Sequence, residues 1–83
     1  MTSENRPGQP DRESAATINL YVNGEPETCE AGLALPAFLQ HLGLNPRLVA
    51  VEYNGDILHH QYWATTEVRS GDRLEIVTIV GGG

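Results

Sequence analysis

Residues 17–30 read TINLYVNGEPETCE, and their pattern predicts the first two elements of the fold. Apolar side chains occupy every second position from Ile18 to Val22, which is the period of a half-buried β-strand. Asn23-Gly24 follows, and this dipeptide best tolerates the positive φ angles of a tight hairpin turn. The sequence therefore predicts a hairpin, with the second strand returning antiparallel over residues 25–30.

The period changes after the hairpin to apolar residues that lie three and four positions apart, as on one face of an α-helix. These residues are Leu35, Phe38, Leu39 and Leu42. A helix is predicted over residues 35–42, with Gly43 placed to end it in a left-handed conformation. Ala34, just before the helix, has no side-chain oxygen that could cap an exposed backbone N–H.

The remainder of the domain consists of short apolar segments separated by turns. An apolar strand is predicted over residues 48–53, and a second Asn-Gly pair, Asn54-Gly55, turns the chain into a short strand at 57–58. Residues 59–64 fit a single helical turn, and a last strand is predicted over 73–80.

Successive residues of the last strand point to opposite faces of the sheet. One face carries Leu74, Ile76 and Thr78, and the other carries Glu75, Val77 and Ile79. A charged residue such as Glu75 is rarely fully buried, so we expect the second face to point outward. Val77 and Ile79 would then form an exposed docking patch beside the end of the chain. The alternative is a central strand covered on both faces, because fully buried strands also read as apolar runs.

Length and charge restrict the class of protein. The 83 residues carry a formal net charge of -6, and arginine supplies all five positive charges. This length supports one domain with one core. The acidic balance disfavours binding to nucleic acid, whose phosphates are contacted by Lys and Arg, and favours a basic protein partner.

Neither a membrane span nor a secretory signal is visible. No apolar run approaches the roughly 20 residues that a membrane helix needs. The polar N-terminus lacks the apolar segment of a signal peptide, and the single cysteine, Cys29, cannot form an internal disulfide. These features predict a cytoplasmic protein that does not bind a membrane.

The two ends of the chain differ in composition from its middle. Residues 1–16 are polar and include two prolines, which predicts a disordered extension. Residues 17–80 make up the predicted globular domain, and residues 81–83 are three glycines that predict a flexible tail.

The histidines and hydroxyl groups do not assemble into a predicted catalytic or metal site. His41, His59 and His60 lack a cysteine or carboxylate at a familiar ligand spacing, and neighbours on an extended chain point to opposite faces. Nothing around Ser70 and Asp72 marks a nucleophile elbow or an oxyanion hole. We therefore predict no metal site and no enzymatic activity of the chain itself.

Cys29 and two adjacent aromatic residues are interpreted as structural. Cys29 has no basic neighbour that would activate its thiol. Tyr62 and Trp63 carry large apolar surfaces and are expected to fill the core rather than to stack on a partner.

Several segments taken together resemble the thiamin-biosynthesis sulfur carrier protein family, ThiS. They are VAVEYNGDI at 49–57, the lone Trp63, GDRLEIV at 71–77 and the ending IVGGG at 79–83. The resemblance covers about residues 18–83 and implies an α+β, ubiquitin-like β-grasp fold, with a mixed sheet of four to five strands packed on one main helix. Ala34 departs from the family, which often has Thr or Ser there.

The resemblance also implies a chemistry for the C-terminus. An E1-like adenylyltransferase would use ATP to adenylate the Gly83 carboxylate, and a persulfide donor of the cysteine desulfurase or rhodanese type would then supply sulfur. The product would be a thiocarboxylate on Gly83, from which thiazole synthase takes sulfur for thiamin. The chain would be a protein cosubstrate without a bound cofactor.

The residues near the C-terminus would then share two tasks. Gly83 would carry the reacting carboxylate, while Gly81 and Gly82, with no Cβ, would let the tail enter a narrow cleft. Val80, together with the Val77 and Ile79 patch, would contact the partner.

Three other functions remain open. The first is a molybdopterin-type sulfur carrier, although that family has a proline-containing approach to its glycines that residues 76–80 lack. The second is a β-grasp interaction module without acyl chemistry, and the third is a ubiquitin-like modifier joined to target amines.

Overall fold

Residues 16–79 are described by the structure, a computed structural model, and they form a five-stranded sheet with one α-helix and two 3₁₀ helices. The strands are β1 (Thr17–Val22), β2 (Glu25–Glu30), β3 (Val49–Tyr53), β4 (Asp56–Ile57) and β5 (Arg73–Thr78). The helix α1 covers Leu35–His41, and the 3₁₀ helices cover Pro46–Leu48 and His60–Thr65.

The last strand lies in the middle of the sheet, whose strand order is β2-β1-β5-β3-β4. The pairing of β1 with β5 is parallel, with Tyr21 opposite Arg73, and the other pairings are antiparallel. A mixed five-stranded sheet with one main helix is the β-grasp arrangement expected from the sequence, so the predicted fold class is confirmed.

One face of the sheet is covered by α1 and the second 3₁₀ helix, and the core lies between these layers. Leu35, Phe38 and Leu39 of α1 are fully buried, as is Leu20 of β1. On β5, Leu74 is buried while its neighbours are exposed, and the same alternation is found along β1 and β3. The opposite face of the sheet is therefore open to solvent.

Both predicted Asn-Gly turns are confirmed by their backbone angles. Asn23 and Asn54 each have a φ of 52°, and the glycines that follow have φ of 82° and 95°. Two consecutive residues with positive φ match the type I′ turn, whose twist suits a two-residue hairpin.

The helix begins without a side-chain cap, as the sequence predicted. Ala34 makes no side-chain hydrogen bond, and the Leu35 N–H instead donates to the Thr66 carbonyl at 2.8 Å. A contact distant in sequence thus takes over part of the capping function. The helix ends at His41, with Leu42 as its C-cap, one residue earlier than predicted.

Several predictions outside the helix need correction. Tyr62 is 52% exposed and does not fill the core, whereas Trp63 is buried and donates from Nε1 to the Leu58 carbonyl at 2.8 Å. Successive residues of a 3₁₀ helix point about 120° apart, so only one of these two aromatic side chains can face inward. Leu48 belongs to the first 3₁₀ helix rather than to β3, and Thr78 is exposed at the end of β5.

The chain ends lie outside the described residues. The predicted extension over 1–16 falls outside them except for Ala16, and the predicted tail over 81–83 falls outside them entirely. Strand β5 is described to Thr78, so Val80, the predicted end of the strand, also falls outside.

Candidate functional site

The candidate site begins where β5 leaves the sheet. The Ile79 N–H donates to the carbonyl of Leu48, the last residue of the first 3₁₀ helix, at 2.7 Å, so the chain is hydrogen-bonded to the domain up to this residue. Val80, Gly81, Gly82 and Gly83, which the sequence assigns to partner contact and reaction, follow directly and lie outside the described residues. The structure thus describes the surface around Ile79, the residue that precedes these four, and we call Ile79 and its surroundings the base of the tail.

Four apolar residues around this base form a surface that we call the tail-base patch, consisting of Ala50, Ile57, Val77 and Ile79. Val77 is 61% exposed, Ile79 is 51% exposed and Ile57 is 68% exposed. Ala50 lies opposite Val77 in the register of β3 and β5. The prediction that Val77 and Ile79 face outward is confirmed, and the alternative of a last strand covered on both faces is wrong. Their role in docking stays a prediction.

Two shallow grooves adjoin the patch. The first, of about 180 Å³, runs along the outer face of the sheet, and the second, of about 200 Å³, lies nearer Ile79. The first is lined by Ala50, Val51, Glu52, Ile57, Glu75 and Val77. Both grooves are below the usual size of a small-molecule pocket, so side chains of a protein partner fit them better than a cofactor does.

The charges on the outer face are unevenly placed. Glu52 and Glu75 lie directly opposite each other on β3 and β5, beside the tail-base patch. Arg73, on the same strand, places its guanidinium 4.7 Å from the centroid of the Tyr21 ring, toward β1. The groove next to the patch is therefore acidic.

Strand β5 is fixed by the side chain of Asn23. Its Oδ1 accepts from the Ile76 N–H at 2.7 Å, and its Nδ2 donates to the Ile76 carbonyl at 3.1 Å. The side chain thereby continues the β1–β5 ladder beyond the end of β1. The sequence pattern marks Asn23 only as a turn residue, because its hydrogen-bond partner Ile76 is 53 positions away.

Asn54 and Asp72 fix the beginning of the same strand. Asn54 Oδ1 accepts from the Arg73 N–H at 2.8 Å, and its Nδ2 donates to Asp72 at 3.1 Å. The Asp72 carboxylate also accepts from the Arg69 N–H at 2.7 Å and from the Tyr53 hydroxyl. Burial, followed by the hydrogen bond to Asp72, raises the pKa of Tyr53 to about 12. Asp72 is thus a buried structural group, and no sequence signal beyond the turn had pointed to it.

The remaining candidates have local structural explanations. Cys29 is 5% exposed, and burial followed by the nearby Glu30 charge raises its thiol pKa, which disfavours reactivity. His59 precedes the second 3₁₀ helix and His60 lies within it, rather than on an extended segment.

Across residues 16–79 no group of three or more potential metal ligands is found. Nor does any helix in this range have the length and apolarity to cross a membrane.

Comparison with known sequences gives a consistent set of similarities. The sequence profile described as the ThiS family matches residues 20–83. An uncharacterized protein, ycf40, of Porphyra purpurea is 38% identical over 66 residues, which cover 80% of this chain and 93% of that protein. A thiazole synthase of Paramagnetospirillum magneticum is 41% identical over 66 residues, which cover 80% of this chain but only 20% of the synthase.

The fold is similar to that of a solved structure from the same family. The crystal structure of a thiamine biosynthesis protein, ThiS, from Geobacter metallireducens superposes with a TM-score of 0.68 at 35% identity. The alignment covers 80% of this chain and 100% of that protein. The fold and the sequence therefore each match over 80% of the chain.

Proposed function

The chain belongs to the ThiS family of small sulfur carrier proteins, and on this basis we propose that its Gly83 carboxylate is converted to a thiocarboxylate that supplies sulfur for thiazole formation. The observation that carries the proposal is the placement of β5. This central strand is hydrogen-bonded up to Ile79 and leads directly into Val-Gly-Gly-Gly, beside an exposed apolar patch.

The chemistry begins with activation of the carboxylate. A carboxylate is a poor electrophile, so its oxygen attacks the α-phosphorus of ATP on an E1-like adenylyltransferase, which releases pyrophosphate and forms the acyl adenylate. A persulfide sulfur on a cysteine desulfurase or rhodanese-type donor attacks the acyl carbon, and AMP leaves. A second thiol cleaves the resulting acyl disulfide, leaving the thiocarboxylate on Gly83 and a disulfide on the donor.

The role of the domain in this scheme is to present the tail. Four extended residues after Ile79 span roughly 13 to 14 Å at 3.3–3.6 Å each, which is enough to reach a reaction centre below the partner's surface. Gly81 and Gly82 lack a Cβ and therefore fit a narrow cleft. Val77 and Ile79 of the tail-base patch, with Val80, contact the partner outside that cleft. The carrier holds no cofactor, and the partner consumes the ATP.

Similarity to thiazole synthases supports the identity of the final acceptor. In the Paramagnetospirillum magneticum synthase, a region like this chain makes up one fifth of a longer polypeptide that bears the synthase name. A carrier joined to its acceptor has a high effective concentration there, which suits two components of one reaction. We infer that this chain delivers sulfur to a thiazole synthase, in the cytoplasm.

Intact-mass measurement tests the proposal. The chain is incubated with ATP, the adenylyltransferase and a persulfide donor, and a mass increase equal to replacement of one oxygen by sulfur is expected. The matched control lacks Gly83 and should show no such increase. Covalent conjugates on other proteins would indicate a modifier, and an unchanged mass would indicate an interaction module. A molybdopterin role would be recognised if deletion of the gene caused a molybdopterin requirement and no thiamin requirement.

A further inference from the structure

The outer face of the sheet places two carboxylates directly opposite each other. Glu52 of β3 and Glu75 of β5 are paired in the antiparallel register, and both side chains are exposed. Like charges at opposed positions destabilise a sheet. The isolated domain therefore gains no stability from this pair, and a cation placed between the two carboxylates would relieve the repulsion.

The described part of the chain does not provide that cation. Within residues 16–79 neither glutamate takes part in an ion pair, and the ion pair found in this range joins Arg69 to Glu67 at 3.8 Å. Arg73 lies on the same face but is placed over the Tyr21 ring, on the side away from β3. Among residues 16–79, no cationic side chain is thus paired with either carboxylate, and both can accept hydrogen bonds from a group of another molecule.

The surroundings of the two carboxylates favour arginine over lysine as the cationic side chain that binds there. The groove of about 180 Å³ that they border is otherwise lined by apolar side chains, among them Ile57 and Val77. An arginine has an aliphatic stem that can lie on such a surface and a planar guanidinium that can donate to two carboxylates at once. A lysine concentrates its donors at one point and matches two separate acceptors less well.

We propose that Glu52 and Glu75 bind an arginine of the adenylating enzyme, with its stem across Val77 and its guanidinium between the two carboxylates. The inference rests on the proposed function for the identity of the partner, and it adds the chemistry by which that partner is recognised. Glu75 lies on the strand that leads to Gly83, so an enzyme holding the tail also covers this groove. The net charge of -6 favours a basic partner surface.

Paired charge-neutral substitutions test the site. The Glu52→Gln/Glu75→Gln variant keeps the shape of the groove and removes both charges. The control, Glu25→Gln/Glu30→Gln, removes two exposed charges from β2, which β1 and β5 separate from β3. In ATP–pyrophosphate exchange catalysed by the adenylyltransferase, we expect the first variant to raise the KM for the carrier at least about tenfold and the control to change it less than about twofold. Equal effects of the two variants would overturn the proposal.

Charge reversal at Glu75 should change the melting temperature and the binding to the adenylyltransferase in opposite directions, which a purely structural role would not do. Glu75→Lys creates an opposite-charge pair with Glu52 across the sheet, so the melting temperature should rise while binding to the adenylyltransferase weakens. A structural role would instead make stability and binding change in the same direction. Binding equal to that of the wild type, or a fall in melting temperature, would contradict the proposed site.

Binding to the adenylyltransferase can be measured separately from the acyl chemistry at Gly83, so the arginine site and the carrier function are tested independently. Binding of the adenylyltransferase to a carrier without Gly83 is measured by calorimetry, independently of the acyl chemistry. Binding that is lost on introducing Glu52→Gln/Glu75→Gln supports the arginine site even if no adenylate forms. Normal activation of the Glu52→Gln/Glu75→Gln variant overturns the site and leaves the carrier function intact. An effect confined to thiazole synthase binding would overturn the assignment to the adenylating enzyme.

Discussion

Asn23 shows how one side chain can serve both a turn and a sheet. Its positive φ suits the hairpin, while its amide makes two hydrogen bonds to the backbone of Ile76, whose side chain is buried. Asn54 has the same φ and bonds to the backbone of Arg73. The two asparagines thereby position the strand that leads to the tail.

Asn23→Gly should destabilise the domain without disturbing the turn. Glycine adopts the positive φ freely, but the N–H and carbonyl of Ile76 lose their partners. We expect the free energy of unfolding in urea to fall by about 1–3 kcal/mol. Asn23→Asp is the matched variant, because it keeps the acceptor for the Ile76 N–H and removes only the donor. A loss below about 0.5 kcal/mol for Asn23→Gly would show that the two bonds contribute little.

Tyr53 should make stability dependent on pH under alkaline conditions. Its pKa is raised to about 12 in the folded chain, above the ordinary value of 10.0. The proton is therefore held more tightly by the folded state, so this stabilisation is fully present below pH 10 and is lost as the pH rises toward 12.

Ultraviolet titration of the phenol groups, with Tyr53→Phe as the reference, measures this effect. The wild type should show a late phenolate transition near pH 12 that the variant lacks. The difference in unfolding free energy between the two proteins should shrink across the same pH range. A wild-type titration curve in which every tyrosine titrates near the ordinary value of 10.0 would contradict the burial of the Tyr53 hydroxyl and its hydrogen bond to Asp72.

Helix α1 illustrates how tertiary contacts compensate for a weak local signal. Pro36 has no N–H, and the Leu35 N–H is bonded to the Thr66 carbonyl, so two of the N-terminal donors that a helix must satisfy are already accounted for. The Ala37 N–H is the next donor that a side-chain cap at position 34 could bond.

Ala34→Ser should therefore stabilise the domain modestly. Ala34 has the extended backbone of an N-cap, with φ -74° and ψ 159°, so a serine oxygen there can accept from the Ala37 N–H. We expect a gain of about 0.5–1 kcal/mol, at the low end for capping because of the existing Thr66 contact. Thermal unfolding measures the gain, and Ala37→Ser, which adds the same hydroxyl inside the helix, should give none. A destabilised Ala34→Ser variant would mean that the half-buried position has no room for the hydroxyl.

In the folded domain, the residues that stabilise the fold are separated from those proposed to contact a partner. The core lies between the sheet and the helices, whereas the tail-base patch and its acidic groove lie on the opposite face. A change in the tail should consequently affect activation without affecting stability.

Gly82→Ala tests this separation. A Cβ at this position should hinder entry into a narrow cleft, so adenylation should fall at least about tenfold while the melting temperature stays the same. Gly8→Ala, which makes the same change at the other end of the chain, is the control and should leave both quantities unchanged. Normal adenylation of Gly82→Ala would contradict the threading role of the tail.

Local sequence patterns predicted the order and type of most elements, and family resemblance predicted the fold class. Alternation along β1, the helical spacing in α1 and the two Asn-Gly turns are local patterns, because they depend on residues that lie within a few positions of one another. The alternation along β5 likewise placed Val77 and Ile79 on one face, and their exposure in the structure decided that this face points outward. The terminal glycines suggested the chemistry, which stays a proposal.

The residues that surround the base of the tail could not be predicted from local patterns, because tertiary packing brings them together. The parallel pairing of β1 with β5 brings Asn23 to Ile76, and the antiparallel pairing of β3 with β5 sets Glu52 against Glu75. Strand order and register depend on how elements distant in sequence pack over one core, and no local period encodes that choice. The acidic groove beside the tail is for this reason a property of the folded sheet.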